Sequence, residues 1–380
     1  MAQLIHYQMR NAVIFTGALR TIRKTIRYFK DNVLNATTSA TATSAATTSA
    51  TATSAATTSE TATSAATTSE TTTSAATTSE TATIDIFICV QNDTSHIQED
   101  WNLWFREEMG GDRVKSIEWF SLEKYPEWVS HRETQLNYIN LDSGWKNYLR
   151  MSGSMIEYFQ LQLAYMAMCK FEQVNGIRYD YVIRARTDSI YAKPLDFHWL
   201  NWTVDEVAVR MNTISERLRS TNIECSQRNI LMYFMCTMIS DDTLPNISEI
   251  LPDYNPCETD TILLNELTPD TLWHYIQYGR YILTLRKNNM YVIQRRLFHL
   301  IPTLGTMYGF MRSPQADDYW FNAEGQFRDA CYYSCVSVFD YNTLLEDKSV
   351  LSANVWNESD FFKESGIMAH PHMLFCVVRK

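Results

Sequence analysis

The chain has 380 residues, with 43 acidic against 33 basic side chains, a formal net charge of −10, and 45% hydrophobic and 13% aromatic residues. That composition is globular and argues against a nucleic-acid binder, which needs a basic face to displace phosphate counterions. The longest apolar run, 230–239, is about half of the roughly 20 residues that cross a bilayer, and MAQLIHYQMR lacks the apolar stretch of a signal peptide, so a soluble protein with no membrane span is expected.

In chain order, AVIFTG (12–17) reads as a strand and TIRKTIRYFKDNV (21–33) as a helix with Ile22, Ile26, Phe29 and Val33 on one face. From Ala36 a ten-residue unit of the type ATTSATATSA recurs up to residue 83. It offers no apolar position for stacking to bury, so a disordered low-complexity insertion is expected rather than a solenoid. IDIFICV (84–90) is the next strand, so removing the repeat restores a βαβ unit. An insertion in the helix-to-strand connection is cheap, because loop-closure entropy rises slowly with length. Ser95-x-x-Gln98, Ser130-x-x-Glu133 and Ser154-x-x-Glu157 fit capping boxes opening three helices, with RVKSIEWF (113–120) a strand between the first two. The third helix stops at Asn175-Gly176, and YDYVIRARTDSIY (179–191) brings a further strand. Strands alternating with helices predict an α/β fold of Rossmann-like type: a mainly parallel central sheet with helices on both faces.

Two strand ends then carry the chemistry. In open parallel sheets ligands bind beyond the carboxyl ends of the strands, which directs attention to TGALR (16–20) and RTDS (186–189). Thr16, Gly17 and Arg20 fit a phosphate-holding turn, since glycine before a helix start exposes amide N–H groups to an anion. Arg23, Lys24 and Arg27 read as a solvated basic face. Asp188 is a candidate ligand for Mn²⁺ or Mg²⁺, which prefer carboxylate oxygen and bridge phosphates; the alternative is an Asp capping the following turn. Alternation sets Arg184 and Arg186 on one face with Asp188, and a buried guanidinium needs a partner.

FTGALRTIRKTI, IDIFICV and the helix feeding YDYVIRARTDSIY resemble the GT-A type nucleotide-sugar glycosyltransferases, and more closely the glycosyltransferase-like proteins encoded by giant amoebal DNA viruses. The resemblance covers most of the chain outside 36–83. It implies a single GT-A domain, with 1–35 and 84–200 as the nucleotide-sugar half and 201–380 as the acceptor half. It also implies a nucleotide-sugar donor, a glycan or protein hydroxyl acceptor and a metal-assisted transfer, in host cytoplasm or packaged in a virion. Asp188 falls on the last acid of the family's DxD-like motif, while Arg186 and Thr187 stand where another carboxylate is usual. CETDTILLNEL (257–267) and DYWFNAEGQFRDACYYSCVSVFDY (318–341) make Asp260 and Glu324 candidates for the carboxylate that accepts the acceptor's proton. The rival is a non-catalytic glycan-binding or virion structural protein that keeps the fold. His370-Pro371-His372 is a further candidate for a metal or diphosphate contact. The eight cysteines include no CxxC pair and read as buried free thiols.

Overall fold

The computed structural model describes residues 9–35, 83–91, 97–138, 143–195, 197–239, 256–311, 322–341, 355–357 and 374–379. The repeat, save for Thr83, and the pair His370 and His372 lie outside them. So do Trp320 and Phe321, beside the Glu324 segment.

Strand β1 (Arg10–Gly17) leads into helix α1 (Ile22–Phe29), which continues as a wider π turn over Lys30–Leu34. The apolar stripe expected of this helix is buried: Ile22, Ile26, Phe29 and Val33 are all at most 4% exposed. Next come β2 (Thr83–Gln91), α2 (Gln98–Met109), β3 (Val114–Phe120), α3 (Pro126–Tyr138), α4 (Ser143–Met151), α5 (Gly153–Asn175), β4 (Tyr181–Arg186) and β5 (Ser189–Tyr191). The second half of the chain supplies α6 (Val204–Ser220), α7 (Gln227–Thr237), α8 (Glu258–Asn265), α9 (Pro269–Tyr278), the hairpin β6 (Tyr281–Arg286) and β7 (Met290–Gln294), α10 (Arg295–Phe298), α11 (Leu300–Met311), α12 (Ala323–Tyr333), β8 (Ser337–Asp340), β9 (Val355–Asn357) and β10 (Phe375–Arg379).

Seven strands form one sheet in the order β3-β2-β1-β4-β7-β6-β8. Six run parallel and β7 runs against them. Residues 281–340 thus complete the sheet that residues 10–186 begin. Val13, Phe15, Ile183 and Ala185 face one apolar layer, with α1, α2 and α6–α9. Ala12, Ile14 and Val182 face the other, under α5, α11 and α12. Helices therefore cover both faces, as a parallel sheet requires. A smaller sheet, β5-β10-β9, adds Tyr191 and Phe375 to the first layer.

Ser95 lies outside the described residues, and the other two expected capping boxes do not form. α2 has Ile97 before its first turn and no side-chain cap; Ser130 and Glu133 lie inside α3; Ser154 and Glu157 lie inside α5, preceded by Ser152 at φ 55°. The S-x-x-E pattern is local, and here other partners claim the acids: Arg132, next in the chain, pairs with Glu133, and the distant Arg184 and Arg186 pair with Glu157. α5 does end as predicted, at a left-handed Gly176 with φ 63°. All eight cysteines are free, five of them buried. Cys331 and Cys335 do not share a helix face, because α12 ends at Tyr333 and Cys335 sits exposed in a left-handed turn at φ 51°. Among the described residues no helix is long and apolar enough to cross a membrane.

Candidate functional site

From β1 the chain steps to β2 and β3 on one side and, later, to β4 on the other. The crevice beyond the ends of β1 and β4 is thus the sheet's topological switch point, where α/β folds place ligands. Thr187 holds the two strand ends together. Its amide donates to the Thr16 carbonyl (3.0 Å), its hydroxyl donates to the Ala18 carbonyl (2.7 Å), and its own carbonyl accepts from the Thr25 hydroxyl of α1 (2.7 Å). Gly17 is required at this contact. At φ +146° it occupies a conformation that L side chains avoid, and a Cβ would stand 2.2 Å from the Thr187 hydroxyl oxygen. Gln160 of α5 donates to the Gly17 carbonyl (3.1 Å), fixing the turn from the other face.

On this platform stands a charged network. Asp188, 3% exposed, accepts two parallel bonds from Arg186, Nε to Oδ1 at 2.8 Å and Nη2 to Oδ2 at 2.9 Å. Arg20 approaches the same carboxylate, its Nη2 lying 3.7 Å from Oδ2. Behind Asp188, Glu157 of α5 pairs with Arg184 (3.1 Å) and Arg186 (3.3 Å) and accepts from Asn288 (2.8 Å). The β6–β7 hairpin tip closes the network: the Asn289 carbonyl accepts from Arg184 (3.1 Å) and its side-chain oxygen from Arg186 (2.9 Å). Burial pulls the Arg184 guanidinium below its usual value even with Glu157 beside it. Burial also opposes the charge on Arg186, but Asp188 and Glu157, with Glu324 further off, outweigh it and hold that guanidinium above its usual value.

The structure thus brings Thr16, Gly17, Arg20, Arg184, Arg186 and Asp188 to one rim, and sets Glu324, in the first turn of α12, within electrostatic reach of Arg186. Ala323, next to it, accepts from the Tyr158 hydroxyl (2.6 Å), which anchors that end of α12 to α5. Arg184 is committed to the core at 1% exposure and faces no ligand.

Asp260 is corrected. It is the third residue of α8, where its Oδ2 accepts from the Cys257 amide at 3.2 Å. The Cys257 thiol meets Ser337 at the start of β8, and Tyr275 of α9, the other neighbour of Asp260, lies beside Ile276, whose carbonyl accepts from Tyr181 and Tyr281 at the starts of β4 and β6. Asp260 therefore closes a helix at the amino edge of the sheet, about 17 Å from the rim at ~3.3 Å per residue of strand. Burial lifts its carboxyl above the ordinary range, while the Tyr275 hydroxyl and the Cys257 amide pull it partway back. Arg23 is exposed, as expected of a solvated basic face, and its guanidinium also stacks, 4.7 Å from the Trp101 ring centre and 5.5 Å from that of Trp104.

Mn²⁺ and Mg²⁺ take about six oxygen donors. Asp188 offers two oxygens, each already accepting from Arg186, with a second guanidinium alongside. Among the described residues no group of three or more His, Cys, Asp and Glu side chains could hold a metal ion. The donor set that the described residues bring to this rim does not fit a resident divalent ion.

Glu157, expected as a capping-box acid, and Asn288 and Asn289 were not among the expected site residues. For the asparagines the signal was present, as an Asn pair between two apolar runs, YILTLR and MYVIQ, is a hairpin signature. Comparison of the chain with protein-family models, with curated proteins and with solved structures finds no match.

Proposed function

We propose that the chain is a glycosyltransferase of GT-A type, moving a sugar from a nucleotide-diphosphate donor to a hydroxyl group of a glycan or protein acceptor. The observation that carries this reading is the Thr187 clasp, which sets the Gly17 turn and the Asp188 turn side by side at the switch point of a mainly parallel sheet. A glycine turn, the Leu19, Arg20 and Thr21 amides, which meet no acceptor among the described residues, and a half-exposed Arg20 suit a diphosphate. The sugar then lies toward α12, where Glu324 stands as the carboxylate that takes the acceptor's proton. In the inverting form of this chemistry the acceptor oxygen bonds to the anomeric carbon as the bond to the diphosphate oxygen breaks, and the nucleoside diphosphate leaves.

One observation favours a second reading, a non-catalytic glycan-binding or virion component: the single acid of the motif, Asp188, is fully engaged by Arg186. Incubation with UDP- and GDP-sugars and hydroxyl acceptors, read by mass spectrometry, separates the two. Transfer gives an acceptor heavier by one sugar residue, and Glu324→Gln removes it while donor binding persists. Donor binding without transfer selects the non-catalytic reading, and free sugar alone marks a hydrolase.

A further inference from the structure

The three arginines of the rim are not equivalent. Side-chain exposure rises from 1% at Arg184 to 15% at Arg186 and 44% at Arg20. Arg184 spends its charge on Glu157 and the Asn289 carbonyl. Arg186 uses Nε and Nη2 on Asp188 and Nη1 on Asn289 and Glu157, so its planar fork is nearly saturated. Arg20 differs in kind. Its approach to Asp188, 3.7 Å, is too long for a hydrogen bond, so Coulomb attraction aims the guanidinium without consuming its donors.

The turn that carries Arg20 has spare donors as well. Among the described residues the amides of Leu19, Arg20 and Thr21 meet no acceptor, and the buried hydroxyls of Thr16 and Thr21 have no hydrogen-bond partner. Thr21 precedes α1 without capping it. Polar groups left so within a protein are costly unless something else satisfies them. The turn's unmet groups include three N–H donors and two hydroxyls, beside a cation with five more donors. That is the complement of phosphate oxygens, and the network of Arg20, Arg184 and Arg186 against Asp188 and Glu157 carries one excess positive charge.

We propose that this site meets the charge of a diphosphate with guanidinium in place of a divalent ion: Arg20 and the Leu19–Thr21 amides hold the phosphate oxygens, and Asp188 is a positioning residue that aims Arg20 while Arg186 clamps the carboxylate from behind. The inference rests on the sugar-transfer reading of this site and specifies how the leaving diphosphate is stabilised. The same geometry accounts for Thr187 in place of a second acid. With its side chain buried as the clasp between two strand ends, that position supplies no charge and needs none.

The test is calorimetry on the full chain with inorganic pyrophosphate and with UDP, each in EDTA and in Mn²⁺ with the heat of metal chelation by the ligand subtracted. The expected result is binding in EDTA, at an affinity within about twofold of that in Mn²⁺. Arg20→Ala should lose at least about tenfold in both conditions, whereas Arg20→Lys, which keeps the charge and loses the fork, recovers part of it. Asp188→Asn should weaken pyrophosphate severalfold equally with and without metal, and a ³¹P chemical-shift titration should show the same ranking. Binding that needs Mn²⁺, or that Mn²⁺ tightens tenfold in the wild type but not in Asp188→Asn, overturns the inference and leaves the transferase reading intact. No binding of either probe in either condition overturns both. Metal-independent binding with no sugar transfer from any donor keeps the anion site and removes the transferase.

Discussion

Asp188 and Asp260 are nearly fully buried aspartates at opposite edges of one sheet, and the contrast between them shows what makes an acid informative. At the carboxyl edge Asp188 is enclosed by Arg186 and Arg20, so its charge is balanced within the protein. At the amino edge Asp260 meets an amide, a thiol and a tyrosine hydroxyl, none carrying positive charge, and burial raises its carboxyl. One edge concentrates formal charge in a crevice. The other removes an acid from water to finish a helix. Burial alone separates nothing here; the sign of the neighbours does.

Substitutions can break this contrast, ranked by their expected effect on stability. Glu157→Ala leaves Arg184 buried without its carboxylate and should cost about 3–5 kcal/mol in urea denaturation, with loss of pyrophosphate binding as the rim loosens. Gly17→Ala should cost about 1–3 kcal/mol from the backbone alone, more once the added Cβ, 2.2 Å from the Thr187 hydroxyl oxygen, forces the strand ends apart. Arg20→Ala, losing a half-exposed ion pair, should change stability by less than about 1 kcal/mol while sharply reducing donor affinity.

Asp260→Asn should have the smallest effect. Its folded carboxyl is raised above the ordinary value of 3.8, so its contribution to stability is complete below that value and is lost as pH rises through the folded one. The amide variant keeps an acceptor for the Cys257 amide and drops that pH-dependent loss. Its stability should therefore fall less than the wild type's as pH rises above 3.8, with any activity unchanged. A variant that folds normally and loses activity would instead place Asp260 in the chemistry.

Much of the rim was legible in the sequence because its signals are local. Apolar runs marked β1, β2 and β4, and an abrupt change to Gly-x-x-Arg or Arg-Thr-Asp marked where they end. The rest depended on distant segments. Glu157 sits in a pattern that also describes a helix cap, and only the packing of α5 over β4 decides that its carboxylate belongs to Arg184 and Arg186. Asp260 looked equally suitable because a helix-start acid reads alike at either edge, and strand direction assigns the edge. β7, the antiparallel strand, brings Asn288 and Asn289 to the rim by reversing the chain, a feature fixed by a turn rather than by the periodicity of either strand.

The Thr187 contacts also bear on motion. A residue bonded through amide, hydroxyl and carbonyl to three different chain positions leaves no hinge between the elements it joins, so the floor of the crevice behaves as one stiff body. Any opening that admits a ligand must come from the walls, and hydrogen exchange should find the Thr16 and Thr187 amides among the slowest in the molecule even while ligand enters and leaves.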